Sequence, residues 1–268
     1  MKPFLKWPGG KYRILEQIKR KLPAGQRLIE PFVGSGAVFL NTEYPQYILS
    51  DINEDLINLY TVLQREGEAF IQYCAGLFIP ENNQESQYYR LREEFNNTTD
   101  AFRKAALFVY LNKHGYNGLC RYNASGGFNV PFGRYAKPYF PEKEMRYFYL
   151  KSQNAVIEHR DFRETMRLAQ PGDVVYCDPP YVPLSATANF TAYSAGGFGE
   201  KEQMELADLA RTLAHRGVTV VISNHRTEFI IAAYEEAVIE TFEVRRFISC
   251  DGANRNKVGE LLAVFALA

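Results

Sequence analysis

The sequence predicts an α/β protein whose strand-helix alternation is divided by an α-rich insert. Three observations carry that prediction. Short apolar, β-rich runs alternate with helical ones at both ends of the chain. Residues 55–112 read as helix throughout, and a Gly-, Asn- and Pro-rich stretch follows at 114–141. Several strand-like runs end in chemically distinctive residues, as in open α/β sheets that bind ligands at their carboxyl edge. At 268 residues the chain can hold one large domain or two small ones.

The first distinctive segment is Phe4-Leu5-Lys6-Trp7-Pro8-Gly9-Gly10-Lys11, which places the chain's only tryptophan beside a Gly-Gly turn. An amphipathic helix is predicted from 11 to 22. Trp7 reads as an apolar anchor that can also line a pocket, and Lys11 as a cation that could neutralise the methionine carboxylate of a bound cofactor. A strand at 27–32 runs into Val33-Gly34-Ser35-Gly36-Ala37 and then a helical 38–41. Glycines at such a turn let backbone approach a ligand, near a helix N-terminus with free N–H groups. A dinucleotide fingerprint needs a third glycine where Phe39 stands, which disfavours NAD or FAD. The next strand, 47–51, ends in Asp51, suited to ribose hydroxyls. Asp51 or Asn53 would otherwise cap a helix at 54–64. A nucleoside held without pyrophosphate points to S-adenosylmethionine, with its ribose at Asp51 and its methionine end at the Gly34–Gly36 loop.

The middle of the chain departs from this alternation. Apolar spacing at 101–111 marks a helix, and another is predicted at 142–154 after the loop-rich stretch. Lys plus Arg equals Asp plus Glu over the whole chain, 31 each, but the balance is uneven. Between Arg103 and Lys151 nine basic residues face only Glu142 and Glu144. They interleave with Tyr116, Tyr122, Phe128, Phe132, Tyr135 and Tyr139, the mixture a nucleic-acid surface uses to hold phosphates and stack bases. A solvated basic face is the plainer alternative.

The alternation resumes with a strand at 155–159 and another at 173–177, which ends in Asp178-Pro179-Pro180-Tyr181. Two prolines force the chain out of the sheet. The Asp178 carboxylate and the Pro179 carbonyl can each accept a hydrogen bond from an amine, and Tyr181 offers a face for a heterocycle. A plain turn would use the same prolines. Cys177 should point to the opposite face of its strand and belong to the core. The four cysteines, Cys74, Cys120, Cys177 and Cys250, have no paired spacing, which argues against zinc and against a disulfide framework. No metal is expected. No run is long enough to span a membrane and no apolar signal core opens the chain, so a cytoplasmic protein is expected. His225, at the end of another strand, reads as structural.

These segments together resemble the Dam-type DNA adenine-N6 methyltransferases, the bacterial GATC methyltransferases of the α arrangement. The matching blocks are 4–11, 28–41, 47–58, 111–141, 174–193, 222–225 and 257–263. Asp-Pro-Pro-Tyr alone is shared by many amino-methyltransferases; the runs 117–135 and 184–190 are far more specific. The resemblance implies a Rossmann-like S-adenosylmethionine-dependent methyltransferase domain, residues 1–54 and 145–268, interrupted by a mainly α-helical target-recognition domain, 55–144. It implies that Asp178, Pro179, Pro180 and Tyr181 form the catalytic motif. Trp7, Lys11, Phe32, Gly34, Gly36, Asp51, Ile52, Asp161, Phe162 and Asp178 are implied S-adenosylmethionine contacts. Lys6, Tyr116, Asn117, Leu119, Arg121, Asn123, Asn129, Pro131, Arg134 and Ser185 are implied DNA contacts. Among them Tyr116 would intercalate and Arg121 would read guanine. Residues 182–199 would form a lid. A monomeric, nucleoid-associated enzyme acting on double-stranded DNA is expected, with roles in strand marking for mismatch repair, replication timing and gene regulation. The rival readings are an amino-methyltransferase for RNA, cytosine or protein, a DNA-binding protein without catalysis, and a dehydrogenase.

Overall fold

The computed structural model describes residues 1–181, 198–244 and 258–267. Ser185, Cys250, the run 184–190 and nearly all of the expected lid lie outside the described residues. In chain order the elements are α1 (Leu15–Lys21), β1 (Arg27–Glu30), β2 (Gln46–Asp51), α2 (Glu54–Ala75), α3 (Glu85–Asn97), α4 (Ala101–His114), α5 (Glu142–Ser152), β3 (Ala155–His159), α6 (Phe162–Arg167), β4 (Val174–Cys177), α7 (Glu200–His215), β5 (Thr219–His225), α8 (Glu228–Ala233), β6 (Val238–Val244) and β7 (Val258–Phe265).

The seven strands form one sheet in the order β3-β2-β1-β4-β5-β7-β6. Pairings from β3 through β5 are parallel, and β7 runs antiparallel to both β5 and β6. Period-2 alternation of apolar residues sorts the strand side chains onto two buried faces. Leu28, Leu49, Val174 and Tyr176 join the core beneath α2, α4 and α5. Ile29, Ile48, Val175 and Cys177 join the core beneath α6, α7 and α8. Helices thus cover both faces, giving the layered, Rossmann-like architecture expected, with Cys177 in the core.

Strand order reverses between β1 and β4: β2 and β3 extend one way from this pair, β4 and β5 the other. The loops leaving β1 and β4 therefore diverge and open a crevice at the carboxyl edge of the sheet. Both the Gly34–Gly36 loop and Asp178–Tyr181 lie there.

Local structure departs from the sequence reading in two places. The segment after Gly36 is only a short 3-10 turn, Phe39–Asn41, rather than a helix with free N–H groups. The helix expected at 54–64 continues to Ala75, with a break at Gly67 (φ +50°). Its cap is Asn53, whose side chain accepts Leu56 N–H, so Asp51 is freed from that role. Between β2 and β3 the chain passes through α2, α3, α4 and the 115–141 loop before α5. Short bridges at Gly115–Phe132 and Tyr122–Phe128 fold this loop back on itself.

Candidate active site

At the end of β4 the carboxylate of Asp178 meets the ammonium of Lys11 at 2.8 Å, and Ser223 of β5 donates to it at 3.0 Å. Both contacts fall on one oxygen, Oδ1. Lys11 also donates to the Gly9 carbonyl at 2.8 Å, and its Nζ lies 4.5 Å from the centre of the Tyr181 ring. The other side of the motif is also supported: His225 packs its ring 4.1 Å from that of Tyr181. Lys11 is only 7 % exposed. Burial pulls its pKa down, but the charge and hydrogen bond of Asp178, with Glu260 beyond it, outweigh that and leave it raised. The cation stays charged against a carboxylate, a pair strengthened by exclusion from water. Lys11 was expected at a cofactor contact; here its partner is the carboxylate of Asp178.

At the neighbouring strand ends Asp51 accepts Gly34 N–H and Asn53 N–H, each at 3.0 Å. Burial nevertheless leaves its pKa raised, because desolvation exceeds the gain from those backbone donors. Gly34 takes φ +46° and lies against Trp7: a Cβ there would stand 3.0 Å from the indole. Tyr60 of α2 donates to Gly34 O at 2.6 Å. The loop's glycine N–H groups are spent internally, on Asp51 and on Val33 O. Ile52 is 53 % exposed beside Asp51. Phe32 stacks on Phe162 with centroids 5.3 Å apart. Asp161 caps α6 through Arg163 N–H and pairs with the Arg163 side chain.

A second cluster lies on the 115–135 loop. Asn112 of α4 exchanges hydrogen bonds with both backbone groups of Lys6, tying the N-terminal segment to this loop. The Lys6 ammonium lies 5.2 Å from the Tyr135 ring, and Tyr135 Oη accepts Asn117 N–H. Gly118 (φ +63°) makes room for the Lys6 stem, which a Cβ would meet at 2.3 Å. Tyr116 is exposed, and its N–H donates to Pro131 O. Leu119 packs partly buried against the core. Arg121 is exposed but folded onto Asn129, through Nε to Oδ1 at 2.7 Å and Nη2 to the carbonyl at 3.2 Å. Asn123 Oδ1 closes its own turn by accepting Ser125 and Gly127 N–H groups. Arg134 (φ +54°) pairs with Glu85 at 3.1 Å. Several expected DNA contacts thus have protein partners in the free chain.

Sequence reasoning missed four supporting groups. Ser223 holds Asp178, and Tyr60 holds the glycine loop. Glu30, 2 % exposed at the end of β1, was not singled out, although a carboxylate closing an apolar strand was the available signal. Gln203, fully buried on α7, donates to Pro180 O at 2.9 Å. Nothing in its local sequence marks it.

Comparison with known proteins shows the family. Residues 7–248 match the family described as D12 class N6 adenine-specific DNA methyltransferase. The chain is 53 % identical over 262 residues to the DNA adenine methylase of Escherichia coli K12, covering 98 % of this chain and 94 % of that protein. It is 54 % identical over 263 residues to the DNA adenine methylase of Serratia marcescens, covering 98 % and 97 %. The enzyme of that name from Vibrio cholerae O395 is 51 % identical over 263 residues, covering 98 % and 95 %. The chain belongs to the D12 class of N6 adenine-specific DNA methyltransferases.

Proposed function

We propose that the enzyme methylates adenine N6 in double-stranded GATC sites, acting on an adenine turned out of the helix. Residues 1–54 and 145–268 act as the catalytic unit and 55–144 as the recognition unit, with the protein working as a monomer. The observation that supports this most is the convergence of Asp178 and Tyr181 with Lys11 and Ser223 at the crevice between β1 and β4. The role of GATC rests on the resemblance of the 117–135 run.

The residues at the strand ends suit S-adenosylmethionine. Asp51 is a half-buried acceptor, Gly34 brings its backbone close against Trp7, and Ile52 offers exposed apolar surface. Glu30 adds an acceptor: its Oε1 is buried with no hydrogen-bond partner among the described residues. Asp51 would hold the ribose, Ile52, Phe32, Asp161 and Phe162 the adenine end, and the Gly34–Gly36 loop with Trp7 the methionine end. S-adenosylmethionine supplies an electrophilic methyl group when bound.

Adenine N6 is a weak nucleophile because its lone pair is delocalised into the ring. Asp178 Oδ2 and the Pro179 carbonyl each accept one N–H and turn the lone pair out of the ring plane. Lys11 and Ser223 fix the carboxylate through Oδ1. Tyr181, braced by His225, supports the flipped base. Extrusion of a base costs a few kcal/mol, repaid by stacking and by contacts of the loop cluster. Transfer then gains from orientation and from the negative charge beside the developing cation. Asp178 takes up a proton only after the methyl has moved. On DNA, Arg121 exchanges Asn129 for a guanine edge, a contact worth about 1–3 kcal/mol of discrimination. Lys6, Tyr116, Asn117, Leu119, Asn123, Asn129, Pro131 and Arg134 complete the surface.

The test is to incubate plasmid DNA with labelled S-adenosylmethionine and digest it with endonucleases that cut GATC only when methylated or only when unmethylated. The parent enzyme should convert every site. Arg121→Ala should methylate near-cognate sites relative to GATC at least tenfold more than the parent does. Labelled DNA with an unchanged GATC pattern would overturn the site assignment, and a uniform loss across sequences would make Arg121 a phosphate contact.

A further inference from the structure

Neither Pro179 nor Pro180 has an N–H, so in this part of the catalytic motif the backbone can be fastened only through its carbonyls. One such fastening is visible. Gln203, in the first turn of α7, donates from Nε2 to Pro180 O at 2.9 Å. Its own Oε1 accepts Asn224 Nδ2 at 3.0 Å and Tyr234 Oη at 3.2 Å. Asn224 Nδ2 also reaches Tyr234 Oη at 3.1 Å, and Asn224 Oδ1 accepts His225 N–H at 2.8 Å. Gln203, Asn224 and Tyr234 are all fully buried. The two donors on Oε1 fix which way the amide points, since a flipped amide would set N–H against N–H. Nε2 is therefore obliged to face Pro180. The triad ties three elements, α7, β5 and the end of α8, to one carbonyl of the motif.

We propose that Gln203 is a positioning residue for methyl transfer, held by Asn224 and Tyr234, and that its hydrogen bond sets the plane of the Pro180–Tyr181 peptide. That plane fixes both the Pro179 carbonyl on one side and the Tyr181 ring on the other. Ser223 and Lys11 orient the carboxylate; Gln203 orients the rest of the motif. Neighbouring residues on β5 divide the work, Ser223 holding Asp178 and Asn224 holding Gln203. The inference rests on the assignment of residues 178–181 as the reaction site.

Single-turnover methyl transfer to a duplex carrying one site tests it, measured beside S-adenosylmethionine affinity and thermal stability. Gln203→Glu keeps the shape of the side chain. Ionised, the new carboxyl repels Pro180 O; protonated, it donates again, and burial raises the pH at which that happens. The rate of Gln203→Glu should fall about 10–100-fold at high pH, the scale of a misplaced reacting group. It should recover relative to the parent as pH is lowered, with cofactor affinity within about twofold throughout. Tyr234→Phe, which removes one donor to Oε1, should show a smaller loss in the same rate and none in affinity. The proposal is overturned if folded Gln203→Glu and Tyr234→Phe both transfer at the parental rate. It is also overturned if rate, affinity and stability fall together with no recovery at low pH. Asp178→Ala serves as the control. Full transfer by that variant would remove the reaction site itself, whereas normal Gln203 variants beside an inactive Asp178→Ala would remove only this inference.

Discussion

Glu30 ends β1 sealed from solvent, and burial pushes its carboxyl up to about 8, against the pull of the Phe39 N–H and with a further push from Asp178. The native state therefore keeps a proton that the unfolded chain has already lost between its ordinary value of 4.5 and about 8. Stability is highest on this account below the unfolded value, falls as pH rises through that window, and levels off above it. The decline should be on the order of a few kcal/mol. Glu30→Gln has no proton to lose, so its stability in urea should vary less with pH over the same range. An unchanged pH slope in the variant would show that Glu30 is not the group responsible. Asp178, Pro179, Pro180, Tyr181 and Asp51 were all readable in the sequence, because each ends a strand whose apolar pattern is plain. Ser223 and Gln203 were not, because their importance lies in burial and in partners far along the chain; Glu30 ends a strand as Asp51 does, and only the fold shows that it is sealed from solvent. Lys11 shows the same limit: its residue type was informative, but its partner, Asp178, is 167 positions away, and only the fold brings the two together.

Among the elements, α2 connects the site to the 115–141 loop. It begins just after Asp51, sends Tyr60 to Gly34, and presents Asp55 to Tyr122 Oη at 2.8 Å and to Lys104 at 2.8 Å. Tyr122 in turn pairs with Phe128 across the bridge that flanks Arg121. Farther along α2, Gly67 adopts φ +50° and lies against α5, where a Cβ would stand 2.6 Å from the Tyr149 ring. Left-handed backbone and steric conflict act together there. Gly67→Ala should destabilise the protein by about 1–3 kcal/mol in denaturant unfolding, with little change in activity of the folded fraction. A stability equal to the parent would mean that the helix can straighten and α5 can shift. A glycine inside an apolar helical pattern signals such a break only weakly, so the sequence predicted the start of α2 but neither its length nor its bend. The helix predicted after Gly36 failed for another reason. Four residues of suitable type precede Thr42 and a loop, too few to sustain an α-helix. The strands fared better, since short β-rich runs bounded by turns leave few alternatives.

At the scale of the whole molecule, the candidate site is placed by one topological fact. Reversal of strand order between β1 and β4 places the glycine loop and Asp178 on opposite sides of a crevice, and Lys11, arriving from the N-terminal segment, closes onto the carboxylate. The same N-terminal segment holds Lys6 against the 115–135 loop, so the partner of Asp178 and a member of the basic, aromatic cluster stand close together on one short stretch of chain. The α/β class and the helical stretch between strands were foreseeable from periodicity alone. The sheet order was not, because no local pattern records which strands pair. The central claim is that Asp178 orients the adenine amine for transfer. Its most direct test is the single-turnover rate of methyl transfer to adenine N6 by Asp178→Ala, with S-adenosylmethionine affinity measured on the same preparation. The account predicts a loss of roughly 100–1000-fold or more with the cofactor still bound. Transfer at near the parental rate by that variant would contradict it.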